Sequence, residues 1–359
     1  MAFLEFKNVR IAGLGAGVPR NVSSNLHPSE DDGISNEYTP EAFVETTGVL
    51  ERHISDVLTT SDLCFAAAER LISNLHWEKS EIGAIVFVSQ TPDYILPATA
   101  CILQDKLGLS KECYAEDISL GCSGWVYGLS NVASLLTSGN IKKAILLCGD
   151  AKKRAKGSRD PLFGHAGTAT ALEFSEGSDG FRFHFGTDGS GYDAIITPDG
   201  GSRNQVSIES FKLQEIEGKT MHRMQTRMKG MDVFSFGIST APKSIKKLAE
   251  YYGFDYQATD YFVFHQANMK MNNMIAKKLK LGTEQVPSCM YHFGNTSSAS
   301  IPLTIVTQLK GKCENKTRFI CSGFGVGLSW GTVAFESKNM IISDLVEVSD
   351  DEADNKYVI

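Results

Sequence analysis

The sequence predicts an α/β fold in which helices pack on mostly parallel or mixed sheets. Short apolar runs rich in β-branched and aromatic residues alternate with longer segments whose apolar side chains recur at helical spacing. Such alternation is typical of layered α/β proteins. The predicted strands are Val9–Leu14, Ala84–Ser89, Tyr114–Ser119, Ala144–Cys148, Tyr261–Phe264, Arg318–Ser322 and Gly331–Phe335. The predicted helices are Ser61–Leu75, Cys122–Thr137, Ser239–Tyr252 and Met269–Leu281.

Two features recur along the chain and indicate a duplicated βα unit. In each half an apolar strand leads into a polar loop, SQTP after Val88 and HQAN after Phe264. Each half also closes with Gly-rich, hairpin-like sequence, GHAGTATALEF and then GFGVGLSWGTVAF. The boundary falls near Ser175–Gly180, which predicts an N-terminal half over residues 1–178 and a C-terminal half over 179–336. Residues 337–359 are strongly acidic, and they are predicted to form an appendage whose far end is solvated.

Composition limits the class of protein. With 359 residues, 42% hydrophobic and 21% charged, the chain has the composition of a globular protein with a sizeable core. A net charge of -7 argues against an extended nucleic-acid surface, which is usually basic. The chain lacks an apolar run long enough for a membrane span, and its start reads as a strand rather than a secretory signal. The eight cysteines are scattered without metal-ligand spacing, which predicts reduced thiols in a cytoplasmic protein without a structural metal.

Cys122 is the first candidate for chemistry. The sequence YAEDISLGCSGW runs from a predicted strand into a predicted helix, and Cys122 stands at the junction. A thiol at a helix N-terminus feels the positive end of the helix dipole and nearby free N–H groups, and both favour the nucleophilic thiolate. Gly121 and Gly124 permit close approach of other backbone or of a ligand. A small buried cysteine without a catalytic role is the alternative at this stage.

His265 and Asn295 are two further candidates for a catalytic role. His265 follows the apolar run YFVF, at the carboxyl end of a strand, where α/β folds place their sites. Asn295 opens the small polar segment NTSSAS thirty residues later. Taken singly, a histidine of this kind is often structural, and a Gly-Asn-Thr sequence is often a turn or a helix cap.

Taken together, the loops LGCSG, HQAN and GNTSSAS resemble the active-site signatures of the β-ketoacyl-acyl-carrier-protein synthase III family, within the thiolase-like condensing enzymes. The resemblance covers residues 1 to about 336 and includes TGVLERHI, LPATAC and SGFGVGLSWG. It implies two βαβαβ-type halves stacked in α/β/α/β/α layers, and a homodimer. It also implies a transferase that needs no metal or redox cofactor and whose substrates are coenzyme A or phosphopantetheine thioesters.

The resemblance further implies a ping-pong decarboxylative Claisen condensation, in fatty-acid or related biosynthesis. Cys122 would take an acyl group from an acyl-CoA or acyl-carrier donor. His265 and Asn295 would then donate hydrogen bonds to malonyl-acyl-carrier protein as it loses carbon dioxide. The backbone N–H groups of Cys122 and Val326 would form the oxyanion hole for the acyl-cysteine.

Less specific parts of the resemblance concern partners and substrate size. It implies that Leu96 reaches the acyl pocket of the partner subunit, the alternative being a core leucine. It also implies that Lys270, Lys277 and Lys278 dock the acidic carrier protein, the alternative being a solvated helix face. Several positions depart from the family: Ala42 and Thr46 replace the aromatic residue and arginine that hold adenine, and His165 replaces an aspartate. The basic residues Lys152, Lys153, Arg154, Lys156 and Arg159 are predicted to attract a phosphate or the carrier, or simply to solvate a loop.

Four alternative functions require different sequence features. A cysteine protease would need a Cys-Gly-Ser-Cys-Trp context near its start, which this chain lacks. The glycines Gly13, Gly15 and Gly17 do not open a helix and do not form a dinucleotide fingerprint. A non-catalytic partner subunit would tolerate loss of the nucleophile, whereas Cys122 is present. An acyltransferase on the same fold, passing the acyl group to an alcohol or amine, stays open on sequence alone.

Overall fold

The computed structural model describes residues 2–28, 39–152, 160–216, 219–353 and 356. The strands in these ranges are β1 (Ala2–Phe6), β2 (Val9–Pro19), β3 (Val22–Ser24), β4 (Glu51–His53), β5 (Ile82–Val88), β6 (Tyr114–Ile118), β7 (Lys143–Asp150), β8 (Ala166–Phe174), β9 (Phe181–Thr187), β10 (Ile195–Ile196), β11 (Gln214–Ile216), β12 (Lys219–Met221), β13 (Arg227–Met228), β14 (Tyr261–Phe264), β15 (Thr317–Gly325), β16 (Ser329–Ser337), β17 (Ile341–Ile342) and β18 (Val346–Val348).

The helices are α1 (Pro40–Thr47), α2 (Thr60–Leu75), α3 (Thr99–Lys106), α4 (Gly124–Ser138), α5 (Gly230–Tyr252), α6 (Met269–Leu279), α7 (Met290–Phe293) and α8 (Ser300–Gln308). Each strand and helix predicted from the sequence is present, with the largest shift at α5, which begins at Gly230 rather than Ser239. The apolar spacing of α5 is weaker in its first turns, where half-buried and exposed residues dominate.

Two sheets repeat one pairing pattern. In the first sheet β5 pairs parallel with β7, β7 antiparallel with β8, and β8 antiparallel with β2. In the second sheet β14 pairs parallel with β15, β15 antiparallel with β16, and β16 antiparallel with β9. In the first sheet β5 also pairs parallel with β6 on its other side. The shared order supports the duplicated unit expected from the repeated loops.

Helices separate and cover the two sheets in five layers. The central helices α4 and α8 contact strands of both sheets, and apolar side chains from both sheets and both helices form the largest core. A second core lies between the first sheet and helices α2 and α3, and a third lies between the second sheet and helices α5 and α6. This α/β/α/β/α stacking confirms the fold class that the resemblance implied.

Both ends of the chain cross the predicted boundaries between the halves. Strand β1 belongs to the second sheet, where it pairs antiparallel with β9. The acidic C-terminal segment is not an appendage over its described length, because β17 and β18 pair parallel with β2 in the first sheet. Buried Met340 and Val348 show the reason: apolar residues interleave with the carboxylates. Asp350 also accepts hydrogen bonds from Ser55 Oγ (2.6 Å) and Asn21 Nδ2 (3.1 Å).

An arm between β9 and α5 was not predicted from the sequence. It contains two small antiparallel sheets, β10 with β13 and β11 with β12. The bidentate pairing of Arg223 with Asp199 fixes its interior, with both Nε–oxygen distances at 3.0 Å. The helices of the described ranges include none with the length and apolar character needed to cross a membrane.

Candidate active site

Cys122 lies between β6 and the first residue of α4, as the sequence predicted. Ser123 precedes the helix, and the turn is closed by a 2.7 Å hydrogen bond from Gly124 N–H to Gly121 C=O. Strand β15 passes directly over the thiol. A Cβ added to Gly325 would come within 2.6 Å of Cys122 Sγ, so glycine is required for this close approach.

The environment of Cys122 favours its thiolate. Burial raises the pKa of the Cys122 thiol, but other groups outweigh this effect and leave the pKa below its ordinary value. Nearby His265 lowers the pKa through its charge and through a hydrogen bond to the thiol. The Val326 backbone N–H donates a further hydrogen bond, and the charge of Lys152 adds to the shift. By contrast, burial raises the pKa of Cys289 to about 12, as expected for an inert structural thiol.

His265 follows the last residue of β14 and is held from two sides. Its backbone N–H donates to Ser322 C=O at 2.9 Å, which continues the β14–β15 ladder beyond the strand. Its Nδ1 lies 2.8 Å from Ser300 Oγ in the first turn of α8, and its ring meets Phe324 edge to face. Because Ser300 occupies Nδ1, Nε2 is the nitrogen left for Cys122 or a substrate.

Asn295 is positioned by its backbone and by one end of its amide. Its N–H donates to Leu162 C=O at 2.9 Å, and its C=O accepts from Gly164 N–H at 3.2 Å. Its Oδ1 accepts a 2.9 Å hydrogen bond from the Ser297 N–H. With the oxygen end occupied, Nδ2 is the end available as a donor to a ligand. Asn295 precedes α8 much as Cys122 precedes α4, which reflects the duplicated unit.

One cavity of about 770 Å³ joins these groups. Cys122, His265, Asn295 and Val326, all predicted as site residues, line it together. The inserted arm contributes residues that the sequence did not single out, because their contact with the site depends on long-range packing. They are Ile195, Ile196, Thr197, His222, Met224, Gln225, Thr226 and Met228.

The remaining predicted residues lie outside this cavity or outside the described ranges. Leu96 is 83% exposed and does not line the cavity of its own chain. Lys270, Lys277 and Lys278 are exposed on α6. Of the predicted basic loop, Lys152 lines the cavity, whereas residues 153–159 lie outside the described ranges.

The structure explains the histidine that replaces an aspartate. His165 is buried, and its Nδ1 accepts a 3.2 Å hydrogen bond from the Ser55 N–H. A neutral imidazole nitrogen and a carboxylate oxygen are both acceptors, so either side chain can satisfy that buried N–H. His165, directly before β8, therefore supports the segment that follows β4 and is not among the cavity residues.

Five stacked layers with a reactive thiol before one central helix define the class of thiolase-like condensing enzymes. Beta-ketoacyl-[acyl-carrier-protein] synthase III of Syntrophomonas wolfei subsp. wolfei is 32% identical over 332 residues, which are 90% of this chain and 96% of that relative. The enzyme of the same name from Clostridium perfringens (strain ATCC 13124) is 30% identical and covers 90% of this chain and 98% of that relative. The chain belongs to the 3-oxoacyl-[acyl-carrier-protein] synthase III family.

Family models and solved structures agree. Residues 116–189 match the model described as 3-Oxoacyl-[acyl-carrier-protein (ACP)] synthase III, and residues 250–337 match its C-terminal counterpart. The crystal structure of 3-oxoacyl-(acyl-carrier protein) synthase from Burkholderia xenovorans LB400 is 36% identical with a TM-score of 0.88, and it covers 97% of this chain and 99% of that one. The Pseudomonas aeruginosa PAO1 synthase III is 28% identical with a TM-score of 0.79, covering 93% and 100%. The protein is thus a condensing enzyme of the transferase class.

Proposed function

We propose that this protein catalyses decarboxylative Claisen condensation of an acyl thioester with malonyl-acyl-carrier protein through an acyl-Cys122 intermediate. The observation that carries the proposal is the meeting of Cys122, His265, Asn295 and Val326 in one cavity, where His265 and the Val326 N–H lower the pKa of the Cys122 thiol. Family membership supports the same chemistry.

In the first half-reaction the Cys122 thiolate attacks the carbonyl carbon of the donor thioester. The carbonyl oxygen becomes an oxyanion, which the N–H groups of Cys122 and Val326 stabilise. The bond between the carbonyl carbon and the donor sulfur then breaks, and the donor thiol leaves with a proton. No metal or redox cofactor takes part in this step.

In the second half-reaction a malonyl thioester replaces the donor thiol. Loss of carbon dioxide leaves an enolate, whose oxygen accepts hydrogen bonds from His265 Nε2 and Asn295 Nδ2. The enolate carbon attacks the acyl carbon, and the Cys122 sulfur leaves as a thiolate, which restores the site. An amide at residue 295 supports decarboxylation rather than proton abstraction, because an amide is not a general base.

The proposal is tested by intact-mass measurement after incubating the enzyme with acyl-CoA and acyl-carrier donors, and then with malonyl-carrier protein. We expect a donor-sized mass increase on Cys122, followed by its discharge with carbon dioxide release and a 3-oxoacyl-carrier product. Discharge by an alcohol or amine, without carbon dioxide, would instead establish the acyltransferase reaction. A complete lack of labelling across a broad donor panel would contradict the proposal and favour a non-catalytic partner role.

We further propose a homodimer joined at the free edge of the first sheet. Within the described residues β6 pairs only with β5, which leaves its outer edge open. Natural proteins rarely leave such an edge uncovered. Ile95 and Leu96 are 93% and 83% exposed shortly before α3, whose first N–H groups bind the Asp117 carboxylate of β6, and this exposure suits burial against a second copy. Leu96 would then reach the acyl pocket of that copy.

The eight cysteines are all free thiols, which supports a function of this protein in the reducing cytoplasm.

The carrier protein is proposed to dock on α6, directly after the loop that bears His265. Lys270 and Lys277 are exposed there, and Lys278 Nζ donates to Ile238 C=O at 2.9 Å. Changing Lys270 and Lys277 together to glutamate is expected to lower kcat/KM for malonyl-carrier protein about tenfold, because like charges would face the acidic carrier.

The same double variant should leave kcat/KM unchanged for a small malonyl thioester without carrier. The matched control is a double change of Lys312 and Lys338 to glutamate, two exposed lysines outside α6. Steady-state kinetics at low and high salt provide the readout, since salt screens exposed charges. An equal loss with both control and test variants would show that net charge, and not α6, governs docking.

A further inference from the structure

Lys152 brings a positive charge to the cavity, and binding of a plain hydrocarbon chain would not require one. It follows Ala151 at the end of β7, where the Ala151 N–H donates to Thr60 Oγ1 at 2.9 Å and to Thr91 Oγ1 at 3.2 Å. This double anchor fixes the start of the segment. Lys152 is half-buried and lines the same cavity as Cys122. Its charge contributes to lowering the pKa of the Cys122 thiol, so it acts on the reacting centre.

The ammonium of Lys152 makes an aromatic contact inside the cavity. Nζ lies 5.1 Å from the centre of the Phe163 ring, a cation–π contact. Within the described residues it has neither a hydrogen bond nor an ion pair, although Asp160 lines the same cavity. A half-buried cation with no counter-ion in the described ranges is a favourable place for an anionic ligand to bind.

Other polar groups around the cavity reinforce this reading. The arm presents His222, whose Nδ1 is buried and has no hydrogen-bond partner among the described residues. Polar side chains come from both the arm and the strand ends of the first sheet. They are Gln90, Thr91, Ser119, Thr197, Gln225 and Thr226. Because the buried His222 Nδ1 has no partner in the described ranges, an acyl group that carries polar atoms could satisfy it, whereas a plain alkyl chain would leave it unpaired.

We propose that Lys152 binds a carboxylate at the far end of the acyl group transferred to Cys122, so that the preferred donor is a dicarboxylic acyl thioester. This inference rests on the proposed function and names its substrate class. The malonyl carboxylate is the less suitable partner. That group must leave as neutral carbon dioxide, and a cation binding it would stabilise the ground state more than the transition state.

The experiment compares loading of Cys122 by glutaryl and pentanoyl thioesters, which have equal chain length and differ in the terminal carboxylate. Each is presented as a coenzyme A and as a carrier thioester, and rates come from quenched-flow intact mass. Lys152→Met removes the charge at similar length, and Lys247→Met, on the exposed face of α5, is the matched control. In the wild type we expect faster loading of glutaryl. In Lys152→Met we expect the loss to be about 10- to 100-fold larger with glutaryl than with pentanoyl, whose loading slows only because the Cys122 thiolate is less stabilised.

Three results would overturn the assignment while leaving the proposed function intact. Equal slowing of both donors in Lys152→Met would show that Lys152 only supports the thiolate. Unchanged loading with slower discharge by malonyl-carrier protein would assign Lys152 to the extender carboxylate. Wild-type preference for pentanoyl, with normal condensation, would refute the dicarboxylic donor while leaving the proposed function intact. If no donor of any kind labels Cys122, the proposed function itself fails and this inference falls with it.

Discussion

Replacing Cys122 with alanine is expected to lower condensation by about 10⁴-fold or more, because the covalent intermediate is lost with the nucleophile. The acyl adduct seen by intact mass should disappear at the same time. Cys101→Ala is the matched control, since Cys101 is an exposed free thiol outside the cavity. It should retain both the adduct and the activity. An adduct that persists in Cys122→Ala would locate the nucleophile elsewhere.

The same thiol predicts a pH dependence. Only the thiolate attacks the donor, and the pKa of Cys122 is lowered despite its burial. Loading should therefore persist below the ordinary thiol range and decline only as the pH falls through the lowered pKa. His265→Ala removes a charge and a hydrogen bond that favour the thiolate, so the midpoint of loading should move to higher pH. An unchanged midpoint in that variant would contradict the pairing of the two side chains.

Asn295→Asp is expected to reduce condensation by about 10²- to 10³-fold while acyl loading of Cys122 continues. An aspartate oxygen can still accept the Ser297 N–H, so the local structure should be preserved. The other end of the side chain, however, would change from a donor into a second acceptor facing the enolate oxygen. Carbon dioxide release from malonyl-carrier protein and discharge of acyl-Cys122 provide the measurements.

Loading serves as the internal control for this variant, because the first half-reaction uses the backbone N–H groups of Cys122 and Val326. Asn295→Ala tests the alternative that any loss is due to the new negative charge, since alanine removes the donor without adding charge. If both variants discharge acyl-Cys122 at the wild-type rate, Asn295 does not stabilise the enolate.

Local sequence patterns were sufficient to predict the main strands and helices and the loops that carry the catalytic candidates. The alternation of strands and helices predicted the sheets. The polar loops directly after strand ends identified Cys122, His265 and Asn295 as candidates, and the structure places all three in one cavity. The chemical meaning of each residue alone was ambiguous. Their shared order and loop sequences made the resemblance specific, because the duplicated fold places corresponding loops at one edge.

The missed features depend on contacts that are distant along the chain. The arm consists of very short strands, and nothing in its local periodicity indicates that Thr226 or His222 reaches the cavity. The tail was misassigned because its carboxylates dominate the composition, although Met340 and Val348 are buried. Lys152 was treated as part of a basic loop, since exposure and cavity lining cannot be separated without the packing of Phe163 beside it.

The crossing of the two chain ends has a consequence for how this duplicated molecule comes apart. The first strand completes the sheet of the second half, and the last strands border the sheet of the first half. The sheet of each half therefore includes at least one strand that comes from the opposite end of the chain. If the chain were divided at the repeat boundary, the N-terminal fragment would lack β17 and β18 at the border of its sheet, and the C-terminal fragment would lack β1, its outermost strand. Each fragment would also expose the central helix that the other sheet normally covers. We therefore expect the two halves to unfold together as one unit rather than as separate modules.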